Sequence, residues 1–256
     1  MKLHPSIVPE SLRAFFEENP RVLLAFSGGT DSSYLLFAAV ASGADVVACT
    51  AKGPFQPDFE TEDALSFAKA LGVRHSIVLV DPLSHSGISA NGPDRCYLCK
   101  RMLFGRLCEI ADNEERCLID ATNASDDPSS RPGMRALDEL GVVSPLRICG
   151  IAKADVRRLS RESDLPFADK PSNSCLATRI STGTAITAEA LERVERSEDE
   201  IRGLGFSGFR VRDRGDQCIL EIQDHDKVAL DNNISEVESI LNKYYSGISY
   251  GRRPSE

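Results

Sequence analysis

The sequence has 256 residues, of which 41% are hydrophobic and 27% are charged, and its formal net charge is −9 at pH 7. This composition is typical of a globular protein and excludes the disordered, fibrous and membrane-embedded classes. The negative charge argues against nonspecific binding to nucleic acids or anionic membranes, because both are polyanions that repel an acidic surface.

Residues 1–10 lack the basic and apolar stretches of a signal peptide, so we expect a cytoplasmic protein. No apolar run approaches the roughly 18 residues that a membrane-spanning helix needs. Helical and strand patterns then alternate along the chain. The predicted strands are 21–26, 45–50, 75–80 and 116–121, with a short extended piece at 143–147, and the predicted helices are 9–18, 31–41, 59–71, 94–111, 133–140 and 152–163. Such alternation predicts an α/β fold with a parallel sheet covered by helices on both faces.

The amino-acid composition changes after residue 165. A stretch of roughly twenty residues rich in Pro, Ser, Thr and Gly is too long for an ordinary connection, which favours a functional loop. Beyond it the patterns predict helices at 188–204 and 234–243, a hairpin of strands 208–213 and 217–222, and a strand at 247–250. The chain is therefore predicted to form a large domain, 1–184, and a small α+β domain, 185–256.

A loop at 27–33, with the sequence SGGTDSS, directly follows strand 21–26 and opens helix 31–41. Its two glycines let the backbone approach a ligand, and the N–H groups at the start of a helix attract an anion. The loop lacks the lysine of GxxxxGKS/T and does not match GxGxxG, so neither a P-loop NTPase nor a dinucleotide-binding fold is indicated. A simpler alternative is that the glycines only turn the chain and Asp31 only caps the helix.

A second polar group, Asp120, Thr122 and Asn123, follows strand 116–121. The carboxyl ends of parallel strands meet at one edge of a sheet, so these side chains could bind a nucleotide or a metal opposite the first loop. The alternative is an ordinary turn, since Asp, Asn and Ser are common there.

The eight cysteines are too few for a disulfide scaffold. Cys96 and Cys99 are spaced to share one side of a helix start, and Cys175 lies in the long loop. Zinc would need a fourth ligand, whereas three thiolates suit a [4Fe–4S] cluster with one open iron. The alternative is a redox or structural pair with an unrelated Cys175. The other five lie in apolar patterns and are interpreted as structural: Cys49, Cys108, Cys117, Cys149 and Cys218.

SGGTDSS after an apolar strand resembles the SGGxDS signature of the PP-loop ATP pyrophosphatases, whose sheet is of the adenine-nucleotide α-hydrolase type. The resemblance implies that ATP is split between its α- and β-phosphates, that a substrate oxygen is adenylated and that pyrophosphate is released. It also implies that Asp31 helps to place Mg²⁺ on the pyrophosphate. The residues that would cradle the pyrophosphate are Ser27, Gly28, Gly29, Ser32 and Ser33.

Further segments resemble the LarE family of ATP-dependent sulfur transferases over nearly the whole chain. They are DRCYLCK, DATNASD, RPGMRAL, GVVSPLR, GIAKADVRRLSRESDLPFADKPSNSCLATRI and FRVRDRG. The resemblance implies adenylation of a carboxylate of pyridinium-3,5-biscarboxylic acid mononucleotide and its conversion to a thiocarboxylate, a step towards the nickel-pincer cofactor of lactate racemase. It also implies a homo-oligomer.

Cys175 stands where the family keeps its sulfur-donating cysteine. Members with that cysteine alone are consumed in one turnover, whereas Cys96 and Cys99 match a subset thought to bind a [4Fe–4S] cluster through three cysteines. We therefore expect the cluster form. Whether Cys175 is sacrificed, what supplies sulfide and which carboxylate reacts first stay open.

Charged residues surround these positions in the sequence. Arg179 and Lys170 flank Cys175, where cations lower the pKa of a thiol and hold an anionic substrate. Arg210 and Arg212 alternate along a strand and so face one side. By resemblance they contribute, with Glu198, to a substrate-phosphate or metal site that could lie across a subunit interface. The alternative for Glu198 is a salt-bridged helix surface.

Three other functions remain open at this point. A PP-loop transfer RNA thiolase fits the cysteines, but the acidic charge and the lack of a basic extension argue against nucleic acid as a partner. An ammonia-using ligase of the NAD synthetase type leaves the three cysteines without a role. A non-catalytic nucleotide-binding regulator with a structural metal would bind ATP without turning it over.

Overall fold

The computed structural model describes residues 7–129, 132–171 and 173–253. Their contacts form two compact units. The first unit takes the described parts of 1–53, 58–80 and 96–170, and the second takes those of 54–57, 81–95 and 171–256. This division falls after Lys170 rather than after residue 184, and it assigns two earlier segments to the second unit.

The first unit is built on a four-stranded sheet with the order β3-β2-β1-β4. Its strands are β1 (Arg21–Ala25), β2 (Asp45–Lys52), β3 (Arg74–Leu79) and β4 (Cys117–Ile119). Every neighbouring pair is parallel, which confirms the predicted α/β fold. Because β1 and β4 run parallel side by side, the loops that follow them leave from the same edge of the sheet.

The described residues contain ten α-helices. They are α1 (Glu10–Glu18), α2 (Thr30–Ala41), α3 (Asp58–Ala70), α4 (Ser86–Ser89), α5 (Arg95–Asn113), α6 (Gly133–Glu139), α7 (Pro145–Ile148), α8 (Lys153–Glu162), α9 (Ala188–Gly203) and α10 (Lys227–Leu241). The extended piece predicted at 143–147 is mostly wrong. Only Val143 makes a bridge, to Ile119, and the chain then turns into α7, whose first position suits proline.

The sheet of the first unit is buried on both faces. Val22 and Leu24 of β1 pack into the main core, whereas Leu23 packs with Leu118 and Leu107 on the opposite face. This explains why β1 has a continuous apolar sequence rather than an alternating one. The loop that follows β1 therefore starts from a rigid support.

The second unit contains a three-stranded sheet of β5 (Phe209–Arg214), β6 (Gln217–Ile222) and β7 (Gly247–Arg252). β5 and β6 form the predicted antiparallel hairpin, and β7 joins β6 in parallel. α10 begins well before the predicted residue 234 and has a non-helical residue, Asn233, inside it. None of the described helices is both long and apolar enough to cross a membrane.

Candidate active site

The loop 27–33 leaves β1, turns tightly against α3 and opens α2. Gly28 has a positive φ of 72°, and a Cβ atom at this position would lie 2.8 Å from the carbonyl oxygen of Glu60 and 3.0 Å from the Cβ of Ala64. Both the backbone conformation and the close approach therefore require glycine. The two glycines of the motif are not equivalent, because Gly29 has an ordinary φ of −76°.

The first turn of α2 offers backbone donors. Among the described residues no side chain caps this helix, and the Ser33 N–H bonds back to the Gly29 carbonyl at 2.9 Å. The earlier N–H groups of the turn have no intrahelical acceptor. The Ser27 and Ser32 hydroxyl oxygens lie 3.1 Å apart beside them. Free N–H groups, two hydroxyls and the positive end of a helix can together bind a phosphate.

Asp31 is paired with a residue that the sequence did not reveal. The Lys153 Nζ donates to Asp31 Oδ2 at 2.8 Å, and the Lys153 N–H donates to the Ser125 Oγ at 3.0 Å. Lys153 therefore links the first loop to the loop after β4. Within the described residues, the buried Oδ1 of Asp31 has no hydrogen-bond partner. A carboxylate oxygen left in this state fits a role as a Mg²⁺ ligand.

The loop after β4 is held together by its own side chains. Asp120 Oδ1 accepts from the Ser144 hydroxyl at 2.5 Å, and its Oδ2 accepts from the Thr122 hydroxyl. Asn123 Oδ1 accepts from the Ser125 N–H at 2.9 Å. Asp120, Thr122 and Asn123 are all buried, so in this structure they shape the loop.

Lys170 forms a hydrogen bond to the loop 27–33. Its Nζ donates to the Gly28 carbonyl at 3.2 Å and to Asp63 at 2.7 Å. The Thr30 hydroxyl lies 3.3 Å from the carbonyl oxygen of Phe167. The segment before the cysteine loop is thus fastened to the SGGTDSS turn.

Cys175, in the second unit, precedes a short 3-10 turn, Leu176–Arg179, and is half-buried. Its carbonyl oxygen accepts from the Thr178 N–H at 2.9 Å and from the Thr178 hydroxyl at 2.8 Å. The Leu176 N–H donates to the Phe55 carbonyl at 2.8 Å, and Arg212 donates to the Thr178 carbonyl at 2.7 Å. The backbone around the thiol is therefore fixed on both sides.

Arg179 is completely buried and makes a two-point ion pair with Glu198. Its Nε lies 2.9 Å from Glu198 Oε1, its Nη2 lies 3.0 Å from Oε2, and the side chains are 1% and 2% exposed. Arg179 also donates to the Ser174 carbonyl at 2.6 Å, and Glu198 accepts from the Val211 N–H at 2.9 Å. The pair supports the backbone that carries Cys175, and both side chains are withdrawn from solvent.

We expect Glu198→Ala to lower the free energy of unfolding by about 3–5 kcal/mol, because it leaves the Arg179 guanidinium buried without a counter-charge. Glu162→Ala is the matched control. Glu162 pairs with Arg158 at 3.0 Å on an exposed helix surface, where solvent screening leaves little to lose. Urea denaturation at pH 7 compares the two variants. Equal destabilisation would contradict a structural role for the buried pair.

Arg210 and Arg212 share one side of β5 within a positively charged cluster. Burial and the nearby guanidinium groups of Arg253, Arg179 and Arg212 lower the pKa of Arg210 to about 10. Within the described residues its buried Nε has no hydrogen-bond partner, whereas Arg212 is paired with Glu221 at 2.8 Å. An anion at Arg210 would relieve this repulsion.

Cys96 and Cys99 lie in the first five residues of α5 and are half-buried. In the described part of the chain no three His, Cys, Asp or Glu side chains come together as a metal site. Burial raises the pKa of each of the five thiols interpreted as structural, that of Cys49 and of Cys218 to about 11. Raised thiol pKa values disfavour the thiolates that bind metals.

The chain has a parallel sheet in which β1 is followed by the SGGTDSS turn and by the start of α2. This arrangement defines it as a PP-loop nucleotide-binding protein. The family model of the queuosine biosynthesis protein QueC matches residues 21–95. Pyridinium-3,5-bisthiocarboxylic acid mononucleotide synthase of Lactiplantibacillus plantarum is 34% identical over 83% of this chain and 78% of its own length. The chain belongs to the LarE family.

Two uncharacterized relatives extend the similarity. A protein of Synechocystis is 39% identical over 83% of this chain and 80% of its own. A protein of Methanocaldococcus jannaschii is 30% identical over 89% of this chain and 86% of its own.

Proposed function

We propose that this protein is an ATP-dependent sulfur transferase that adenylates a carboxylate of pyridinium-3,5-biscarboxylic acid mononucleotide and converts it to a thiocarboxylate. The observation that carries the proposal is the uncapped first turn of α2 beside Gly28, in a member of the LarE family. The name of the Lactiplantibacillus relative supplies the substrate class.

In the first step, a substrate carboxylate oxygen attacks the α-phosphorus of ATP, and the bond to the β-phosphate oxygen breaks to release pyrophosphate. The loop N–H groups and the Ser27 and Ser32 hydroxyls bind the leaving pyrophosphate. Asp31 would hold Mg²⁺, which when bound neutralises charge on the leaving group. The Lys153 Nζ, which donates to Asp31 Oδ2, would supply a further cation at the same place.

In the second step, sulfur replaces AMP on the activated carboxylate. A carboxylate is a poor electrophile, whereas an acyl-adenylate has a good leaving group, so the Cys175 thiolate can form a thioester with loss of AMP. Cleavage of the Cys175 Cβ–Sγ bond then leaves sulfur on the product and dehydroalanine on the protein. In this elimination Cα loses a proton, the electron pair of its C–H bond forms the Cα=Cβ double bond, and the electron pair of the Cβ–Sγ bond leaves with the sulfur.

The cysteine set also suits the cluster form. Cys96, Cys99 and Cys175 are half-buried cysteines outside any disulfide, thiolate sulfur is the donor type that iron–sulfur clusters take, and we propose that they would hold a [4Fe–4S] cluster. Such a cluster supplies sulfur chemistry without cleavage of Cys175.

Arg210 and Arg212 are proposed to receive the phosphate group of the mononucleotide substrate. The Nε of Arg210 has no hydrogen-bond partner among the described residues, and with the surrounding guanidinium groups it makes this surface attractive for a dianion. We also propose a homo-oligomer, as the family implies.

The test is to purify the protein anaerobically, assay iron and sulfide, and count thiocarboxylate products per protomer with MgATP and the mononucleotide. More than one product per protomer in iron-loaded protein, with no mass change in the chain, supports the cluster form. A single product with a mass loss of about one H₂S supports sacrifice of Cys175. ATP binding without pyrophosphate release would instead favour a nucleotide-binding regulator and overturn the proposal.

A further inference from the structure

Two side chains from the neighbouring strands β2 and β3 form a series of hydrogen bonds that ends at the carbonyl group just before the SGGTDSS loop. The Thr50 Oγ1, on β2, lies 2.6 Å from the carbonyl oxygen of Phe26, the residue just before the loop. His75, on β3, places its Nε2 2.8 Å from the same Thr50 hydroxyl. Phe26 is 2% exposed and Thr50 5% exposed, so the contacts are shielded from water.

The donor and the acceptor of each hydrogen bond in the series His75–Thr50–Phe26, which we call the relay, follow from its geometry. A carbonyl oxygen only accepts, so the single Thr50 hydroxyl proton is donated to Phe26. The contact to His75 must then be a donation from Nε2–H to the Thr50 oxygen, which fixes the histidine tautomer. His75 Nδ1 is buried without a partner in the described residues, and burial lowers the pKa of His75, so the ring stays neutral.

These hydrogen bonds restrain the loop through the planar peptide group that joins Phe26 to Ser27. The carbonyl of Phe26 and the N–H of Ser27 belong to one trans peptide group, so they point in opposite directions. Holding the carbonyl against Thr50 therefore aims the Ser27 N–H away from Thr50. The His75 ring also packs edge-on against the Phe26 ring, with centroids 5.6 Å apart, which restrains the same residue a second time.

We infer that Thr50 and His75 are positioning residues that orient the first N–H group of the phosphate loop through the carbonyl of Phe26. The inference rests on the proposed function, since it needs the loop to bind the pyrophosphate part of ATP. Neither residue belongs to the signature or was singled out by its sequence pattern.

The test measures the binding of MgATP, inorganic pyrophosphate with Mg²⁺, and AMP by calorimetry. Thr50→Val keeps the side-chain shape but removes the relay, and it is expected to weaken MgATP and pyrophosphate binding about tenfold. AMP binding should change less than about twofold, because AMP lacks the groups that this loop holds. Thr50→Ser, which keeps the hydroxyl, should restore wild-type binding.

Ser76→Ala is the matched control, because Ser76 follows His75 on β3 and its side chain lies on the opposite face of the sheet. Nitrogen NMR of the wild-type protein should show His75 protonated at Nε2 alone. Equal weakening for AMP and MgATP in Thr50→Val, no weakening at all, or an Nδ1–H tautomer would overturn the inference. Wild-type protein that binds no MgATP would overturn the proposed function, and the inference with it.

Discussion

Cys175→Ala is expected to abolish thiocarboxylate formation, by at least about a thousandfold, while pyrophosphate release stays within about tenfold of wild type. The substitution removes the sulfur atom that attacks the acyl-adenylate, or a ligand of the cluster that supplies it. It leaves untouched the loop that we propose to bind ATP. Product formation followed by mass spectrometry, alongside a pyrophosphate assay, separates the two steps.

Cys149→Ala is the matched control for this variant. Cys149 is also a half-buried cysteine, burial raises the pKa of its thiol, and its replacement should leave both steps unchanged. Wild-type amounts of thiocarboxylate from Cys175→Ala would show that the sulfur reaches the substrate by another route.

Gly28→Ala is expected to raise the Kd for MgATP about a hundredfold or more. The positive φ costs about 1–2 kcal/mol for any other residue, and the new methyl group would overlap the carbonyl oxygen of Glu60. The loop must then move away from α3, which misaligns its N–H groups. Equilibrium binding of MgATP gives the comparison.

Gly43→Ala is the control that separates two effects of Gly28→Ala, the backbone strain at a positive φ and the distortion of the SGGTDSS loop. Gly43 has a similar φ of 80°, and a Cβ atom there meets nothing within 4 Å. This variant should lose stability in the same direction as Gly28→Ala but bind MgATP as the wild type does. Normal MgATP affinity in Gly28→Ala would contradict the proposed role of the loop.

The sequence predicts the parallel sheet and the position of the SGGTDSS turn well. Both follow from local patterns: apolar strands such as Arg21–Ala25, and two glycines before a helix. The hairpin of the second unit is equally local. These elements are specified by residues that are close together along the chain, so periodicity is enough to find them.

The contacts between distant side chains that complete the candidate site could not be predicted from periodicity. Lys153 is 122 residues from Asp31 in the sequence, and nothing in its pattern distinguishes it from a solvated helix lysine. Arg179 looked like a cation beside Cys175, but its burial against Glu198 depends on the packing of α9. The Thr50–His75 contact depends on strand order, which links residues that no sequence spacing connects.

Oxygen transfer is the most direct test of the central claim, that the carboxylate is activated by adenylation before sulfur is added. The substrate is labelled with ¹⁸O in its carboxylates, and the AMP released during thiocarboxylate formation is analysed by mass spectrometry. The acyl oxygen that bonds to the α-phosphorus leaves with AMP when sulfur attacks the carbon, so we expect a single ¹⁸O in each AMP. Unlabelled AMP formed alongside the thiocarboxylate would contradict the account.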